Sequence, residues 1–397
     1  MHMKFSEESE NSYFFSQPHQ PFFILAFISA IVTMLIFMLA YKGVLHMAVS
    51  PVGFHVYGFT YLMFTPAFFG FLFTTFPRFT ATPAIEKHLY MRIFSLYYIG
   101  ATLVLLGSIV TPVFSGIGMA VVFLGHLMGT DILRNIYNNT NMDDKHDIFW
   151  ILTAMKLGLL AHFLFIIAAL FYSPLMGLST EISTYLFLFL LTFSVAQRMV
   201  PFFSHCMVDR NEYLMKTIFG LLVFHVLLEG IYTNSSFIAD LLIGLLIGRE
   251  LLRWKLPFPN PNPLLWILHT ALFWVPVAFI VSGLVNLVTM LSGTSFLALD
   301  IHMLILGFVF TIMIGFGTRV TIGHSGNLMQ ADRWTTLLFY WTQVVVLLRI
   351  LVSLVAALGW NFMVLFDISA TAWLILFIGW AVRFFAVLIS GKKLTDA

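Results

Sequence analysis

The chain has 397 residues, 60% of them hydrophobic and 10% charged, with a mean hydropathy of +0.95. A soluble domain of this length carries roughly 25% charged residues, so the composition excludes a soluble protein and points to an all-α polytopic membrane protein. A net charge of +2 without a basic block argues against nucleic acid, and a single cysteine, Cys206, excludes an internal disulfide and a CxxC redox pair.

Residues 1–20 are polar and mildly acidic, with no cleavable signal pattern, and are expected to form a short N-terminal segment. A spanning helix needs about 20 mainly apolar residues. Twelve segments meet this, at 21–41, 52–76, 91–110, 113–136, 149–171, 182–204, 216–233, 235–252, 264–290, 295–317, 334–357 and 364–389. Polar stretches separate the second from the third and the fourth from the fifth. The run from Lys255 to Pro263 stops a helix because each proline removes a donor and restricts its predecessor. The seventh and eighth segments are short, and either pair tightly or are partly re-entrant. Residues 21–390 then form one transmembrane domain, with a short tail at 391–397.

The cations fall on one side of this topology. With the N-terminus on side A, that side receives Lys4, Arg78, Lys87, Arg134, Lys145, Arg210, Lys216, Arg253, Lys255, Arg333, Lys392 and Lys393. Side B loops receive only Lys42. Short cytoplasmic loops retain positive charge, so about twelve transmembrane helices with both termini cytoplasmic are expected, in a cytoplasmic (inner) membrane.

Histidines are threaded through the segments, and a polar side chain at a helix centre costs about 2.5–3.5 kcal/mol on insertion scales for the strongly polar types. His55 lies a turn into helix 2 and His302 two turns into helix 10. Both helices begin on the outer side, so the two imidazoles share a leaflet and are placed as the axial ligands of one haem. His126, His162 and His225 lie near mid-membrane. Glu229 follows His225 by four residues on the same helix face and is a candidate partner for it. An inner group comprises Arg198, His205, His269, Arg319 and His324, fit for copper, a haem propionate or lipid headgroups. Each histidine also has an ordinary role, as a hydrogen-bonded packing residue or a boundary residue. His2, His19, His88 and His146 read as loop residues, and a Cys206–His205 pair reads more simply as a helix end.

Three stretches carry a resemblance. They are Leu265-Trp-Ile-Leu-His269-Thr-Ala-Leu-Phe-Trp-Val-Pro276, Ala298-Leu-Asp-Ile-His302-Met-Leu-Ile-Leu-Gly307, and Thr318-Arg-Val-Thr-Ile-Gly-His-Ser-Gly326. Gly70–Thr75, Gln197–Phe203 and Arg249–Trp254 add to them. Together they resemble the NnrS family of bacterial membrane proteins over nearly the whole chain. Two departures stand out: Gly53-Phe-His55-Val-Tyr-Gly-Phe59 lacks the glutamate often found beside the histidine, and Pro77-Arg-Phe-Thr80 stands where Asn-Trp-Thr is common. A more distant similarity links helices 2 and 10 to the haem–copper oxidase main subunit, whose His-Pro-Glu-x-Tyr and His-His signatures are absent.

The resemblance implies a haem- and copper-containing protein of the bacterial inner membrane that acts in the nitric oxide response. The expected assignment is a haem b held by His55 and His302, with Arg198 and Arg319 as candidate supports for propionates. Copper is expected among His126, His225, Glu229 and His269, with His324 a further candidate. Nitric oxide would enter from the bilayer. If the site turns over, Glu229, Asp300 and Tyr57 are the candidate proton relays, and an electron donor is required. The competing class is a transporter, or a copper- or haem-handling protein without redox turnover. A transporter predicts internal repeats, and no convincing repeat is visible in the sequence.

Overall fold

The computed structural model describes residues 12–206 and 208–394, so Lys4 and His2 lie outside the described residues. Among the described residues there is no strand. The membrane-length helices are α1 (His19–Tyr41), α2 (Pro51–Phe79), α3 (Lys87–Val110), α4 (Pro112–Asn139), α5 (His146–Leu170), α6 (Leu175–Phe203), α7 (Leu214–Ile231), α8 (Phe237–Trp254), α9 (Pro263–Ser292), α10 (Leu299–His324), α11 (Arg333–Ala357) and α12 (Met363–Ser390). Eleven are long and apolar enough to cross a membrane; α8 is the exception because its 18 residues include Asp240, Arg249, Glu250 and Arg253. The protein is thus an all-α, multi-pass membrane protein. The seventh and eighth segments form separate helices, each about 27 Å long at 1.5 Å per residue.

Helix starts follow from local chemistry. Ser50-Pro51, Thr111-Pro112 and Asn262-Pro263 each place a capping side chain before a proline at the first helical position. Proline is tolerated there because its missing N–H has no intrahelical partner in any case. The cap oxygens of Ser50, Thr111 and Asn262 accept from the backbone N–H of Gly53, Val113 and Leu264. The α3–α4 hairpin closes on small residues. A Cβ at Gly107 would lie 2.3 Å from the backbone nitrogen of Ser115, so no larger residue permits this approach.

Both termini lie at one end of the bundle. Lys393 Nζ donates to the carbonyls of Ser325 and Gly326 just beyond α10, and Tyr90 at the head of α3 donates to the carbonyl of Phe15. At the other end, Lys42 pairs with Asp367 across 2.8 Å, joining the foot of α1 to the head of α12.

A repeat invisible in the sequence organises the core. Helices α2, α6 and α10 each contain a π-helical segment shortly after their start: Gly58–Phe64, Ile182–Phe189 and Ile305–Phe310. These are the second helix of each successive group of four. They are also the most enclosed, with 83%, 67% and 72% of their apolar windows buried, against 33–61% for the other eight of the eleven apolar helices. The π segment of α6 packs against those of α2 and α10. Thr65 and Thr311 each follow a π segment and donate to the carbonyl five residues back, Thr60 and Leu306, which satisfies a backbone group that the wide turn displaces. Three arcs of outer helices then surround this central trio.

Candidate metal centre

The end of the bundle opposite the termini brings His55 and His302 together. Their ring centres are 6.1 Å apart and their planes are inclined by 36°. Both residues stand three positions before a π segment, and the equivalent position in α6 is Ser179. Phe37 and Phe59 pack on His55 at 4.3 and 4.8 Å between ring centres. His55 Nδ1 is buried without a hydrogen-bond partner. His302 Nδ1 lies 2.7 Å from the carbonyl of Ala298, four residues back, and donates to it, so its lone pair is on Nε2.

Arg349, in the apolar body of α11, completes this end and was not singled out in the sequence. One of its nitrogens donates to the carbonyl of Leu297 at 2.8 Å. The same nitrogen lies 3.1 Å from His302 Nδ1. Since that nitrogen already carries a proton directed at Ala298, this last approach is a contact and not a hydrogen bond. Leu297 and Ala298 are both left-handed, with φ of 46° and 51°, a conformation that costs an L residue about 1–2 kcal/mol. Arg349 and His302 together fasten the strained turn that starts α10.

The α2–α6 arc holds a second group near mid-helix. His126 Nδ1 and His162 Nδ1 are 3.2 Å apart, and Tyr57 Oη is 2.9 Å from His162 Nε2. Tyr61 stacks on His162 at 3.9 Å with an interplanar angle of 15°. All four side chains are buried, and His126 Nε2 and Tyr61 Oη have no partner. Tyr57, His162 and His126 form a continuous hydrogen-bonded chain able to pass a proton between helices α2, α5 and α4.

The α6–α10 arc holds a third. His225 Nδ1 is 2.7 Å from Asp240 Oδ1, and its Nε2 is 3.2 Å from Glu181 Oε2. Asp240 is fully buried, and its second oxygen accepts from Ser236, Ser282 and Asn286. An imidazole with carboxylates on both nitrogens donates from both, so both ring nitrogens are already engaged. Glu229 is not its partner, although it shares the helix face. Its carboxylate accepts from the backbone N–H of Asn234 and Ser236, where the start of α8 exposes unpaired donors. Asp300 sits one turn ahead of α10's π segment, two residues before His302.

The remaining candidates lie at the end of the bundle that carries the termini. Arg198 pairs with Asp147 across 2.8 Å, and Arg319 lies over the Phe203 ring at 4.2 Å. Both line a cavity of about 550 Å³ shared with His205 and Cys206. Burial pushes the Cys206 thiol up from its usual range. His269 Nε2 is 2.7 Å from Ser204 Oγ, and its Nδ1 is buried without a partner. Arg198 and Arg319 are thus at the opposite end from His55 and His302.

His19 corrects the reading of it as a loop residue. It opens α1 and is 2% exposed, because residues 12–18 fold back over the helix end. Its ring lies 5.0 Å from that of His324. His88 is exposed beside Glu86, and His146 opens α5 against Asp147 and Trp150.

A family model described as NnrS protein matches residues 13–392. The chain belongs to the NnrS family. No curated protein matches it. Within this NnrS family member, His126, His225, Glu229 and His269 occupy three separate places and do not converge on one copper ion. Among the described residues, no three His, Cys, Asp or Glu side chains meet as a ligand set.

The haem expected of the family can be tested against the paired imidazoles. A ring nitrogen ~2.0 Å from a first-row ion, with the ring centre ~1.1 Å beyond it, puts two rings facing across one ion about 6 Å apart. The 6.1 Å between His55 and His302 fits this. Their supports fit as well: His302 has a fixed tautomer, and Arg349 is a cation at the same end.

Proposed function

We propose that this chain is a haem- and copper-binding protein of the bacterial inner membrane, with both termini cytoplasmic, that binds nitric oxide at a buried metal centre in the response to nitrosative stress. The observation that supports this most is the pair His55 and His302, whose ring centres stand 6.1 Å apart at matching positions three residues before the π segments of α2 and α10. His55 and His302 would hold a haem b. When bound, the haem would supply an iron that accepts electrons from a donor, and nitric oxide would reach that iron only in place of one imidazole.

The protein's own residues do the rest. Arg349 and the Ala298 carbonyl hold His302 in register and in one tautomer. Phe37 and Phe59 wall off His55 from water. The Tyr57–His162–His126 chain can hold and move a proton within the apolar core, and Asp300 places a carboxyl on the helix turn that bears His302. Glu229 is engaged at the α7–α8 loop, where its carboxylate accepts from the backbone N–H of Asn234 and Ser236.

An absorption spectrum of the purified protein tests the proposal. A Soret band that shifts with dithionite, and again with nitric oxide, is expected. A featureless visible spectrum after expression with ample haem would favour a transporter.

A further inference from the structure

The end of the bundle that carries the termini contains a second pair of imidazoles, and their hydrogen bonds fix which nitrogens they offer. His324 Nδ1 donates to the carbonyl of Val320 at 3.0 Å, so Nε2 carries the lone pair. That Nε2 is buried and has no partner. On α1, His19 Nδ1 is 3.4 Å from Thr74 Oγ1. The Thr74 hydroxyl is already donated to the Gly70 carbonyl at 2.7 Å, so Thr74 accepts from His19. His19 therefore also presents Nε2 as its lone-pair nitrogen. A second residue that fixes the tautomer and orientation of an imidazole is what metal-ligating histidines usually have.

The ring spacing differs from that of the outer pair. At 5.0 Å between centres and 52° between planes, the rings are too close to face each other across one ion. The distance instead matches two imidazoles on neighbouring corners of a tetrahedral or trigonal ion, about 5 Å for bonds of ~2.0 Å. No carboxylate is hydrogen-bonded to either ring, so the donors are two neutral imidazoles. A singly charged, imidazole-binding ion of low coordination number is favoured, and among first-row metals that describes copper(I).

We propose that His19 and His324 bind one copper(I) ion through their Nε2 atoms at the cytoplasmic end of α1 and α10, about 33 Å along α10 from His302. The remaining coordination positions are open to a small exogenous ligand. This site deepens the metal reading given above and rests on it for the presence of copper, while its ligands are distinct from those of the haem.

Anaerobic copper(I) titration of the purified full chain in detergent, in competition with a colorimetric copper(I) chelator, tests it, with the Soret band recorded on each sample. His19→Ala and His324→Ala should each lose one equivalent of tightly held copper and keep the wild-type haem absorbance. Thr74→Val should keep the ion and weaken it about tenfold. Should the alanine variants fail to fold, X-ray absorption of the copper-loaded wild type decides: two imidazole shells support the site, and their absence overturns it. Unchanged copper stoichiometry and affinity in folded His19→Ala and His324→Ala would overturn it. So would loss of haem in place of copper from these variants. Failure of the haem assignment would appear separately, as a missing Soret band in the wild type.

Discussion

Arg349→Ala is the most informative single substitution at the outer site, because it touches neither imidazole's Nε2 yet removes what holds one of them. Its guanidinium donates to the Leu297 carbonyl at 2.8 Å, and a hydrogen bond to a charged group contributes about 1.5–3 kcal/mol. The turn it fastens has two L residues in left-handed backbone, Leu297 and Ala298, each costing about 1–2 kcal/mol. Without Arg349 this turn relaxes and the Ala298 carbonyl moves away from His302 Nδ1. If the lost bond is expressed wholly in haem binding, affinity falls roughly ten- to hundredfold, at 1.4 kcal/mol per tenfold. Glycine adopts positive φ at no steric cost, so Ala298→Gly in the Arg349→Ala background should recover about tenfold while leaving the acceptor carbonyl in place. Haem titration of the apo-protein, followed at the Soret band, measures both effects. Wild-type affinity in Arg349→Ala, or a double variant no better than the single one, would refute the reasoning.

Other predictions concern the remaining parts of the bundle. Asp240→Ala leaves His225 without its 2.7 Å partner in a fully buried site, and the thermal unfolding curve should fall by about 3–5 kcal/mol; Asp240→Asn, which keeps the hydrogen bond, should cost less. At Gly58, the first residue of a π segment, a Cβ would lie 2.4 Å from Thr33 Cγ2. Gly58→Ala should therefore destabilise by about 1–3 kcal/mol, and pairing it with Thr33→Ser should restore part of the loss. At the end of the bundle that carries the termini, the Arg210 guanidinium beside Asp144 holds that carboxyl below its ordinary value of 3.8. The folded-state value is depressed, so the stabilisation is present above the ordinary value and lost as pH falls below it. Asp144→Asn should cost at most about 1 kcal/mol at neutral pH, a difference that thermal melts at pH 7 and pH 3 should show fading in acid.

The helices themselves were legible because spanning length is a local signal, and the proline-marked starts are a further local signal that the sequence carries. Ser50-Pro51, Thr111-Pro112 and Asn262-Pro263 stand in the sequence as they act in the fold. The His55–His302 pairing was legible too, since depth in the membrane follows from counting residues along helices of known direction. The π segments were not, because one extra residue in a turn leaves no mark on an apolar run; with them went the recurrence of α2, α6 and α10. Ser179, for example, stands where the other two helices carry histidine, and nothing in its neighbours announces that. His19 was misplaced because hydropathy does not foresee residues 12–18 folding back over the helix end. Glu229 was misassigned because sharing a helix face does not decide between an imidazole and two unpaired backbone N–H groups. A signal for Arg349 did exist: a lone arginine among Val344–Val352 of an apolar helix needs a buried partner. Likewise Asp240, an acid in the otherwise apolar first half of α8, called for the cation or donors that it finds in His225 and its hydroxyl neighbours.

The central claim is that two imidazoles from α2 and α10 share one haem iron. Electron paramagnetic resonance of the oxidised, purified protein tests it most directly. The wild type should give the low-spin signal of ferric haem with two imidazole ligands, and His55→Ala and His302→Ala should each convert it to high spin or lose it. A high-spin wild type, or a low-spin signal that persists in both variants, would contradict the account.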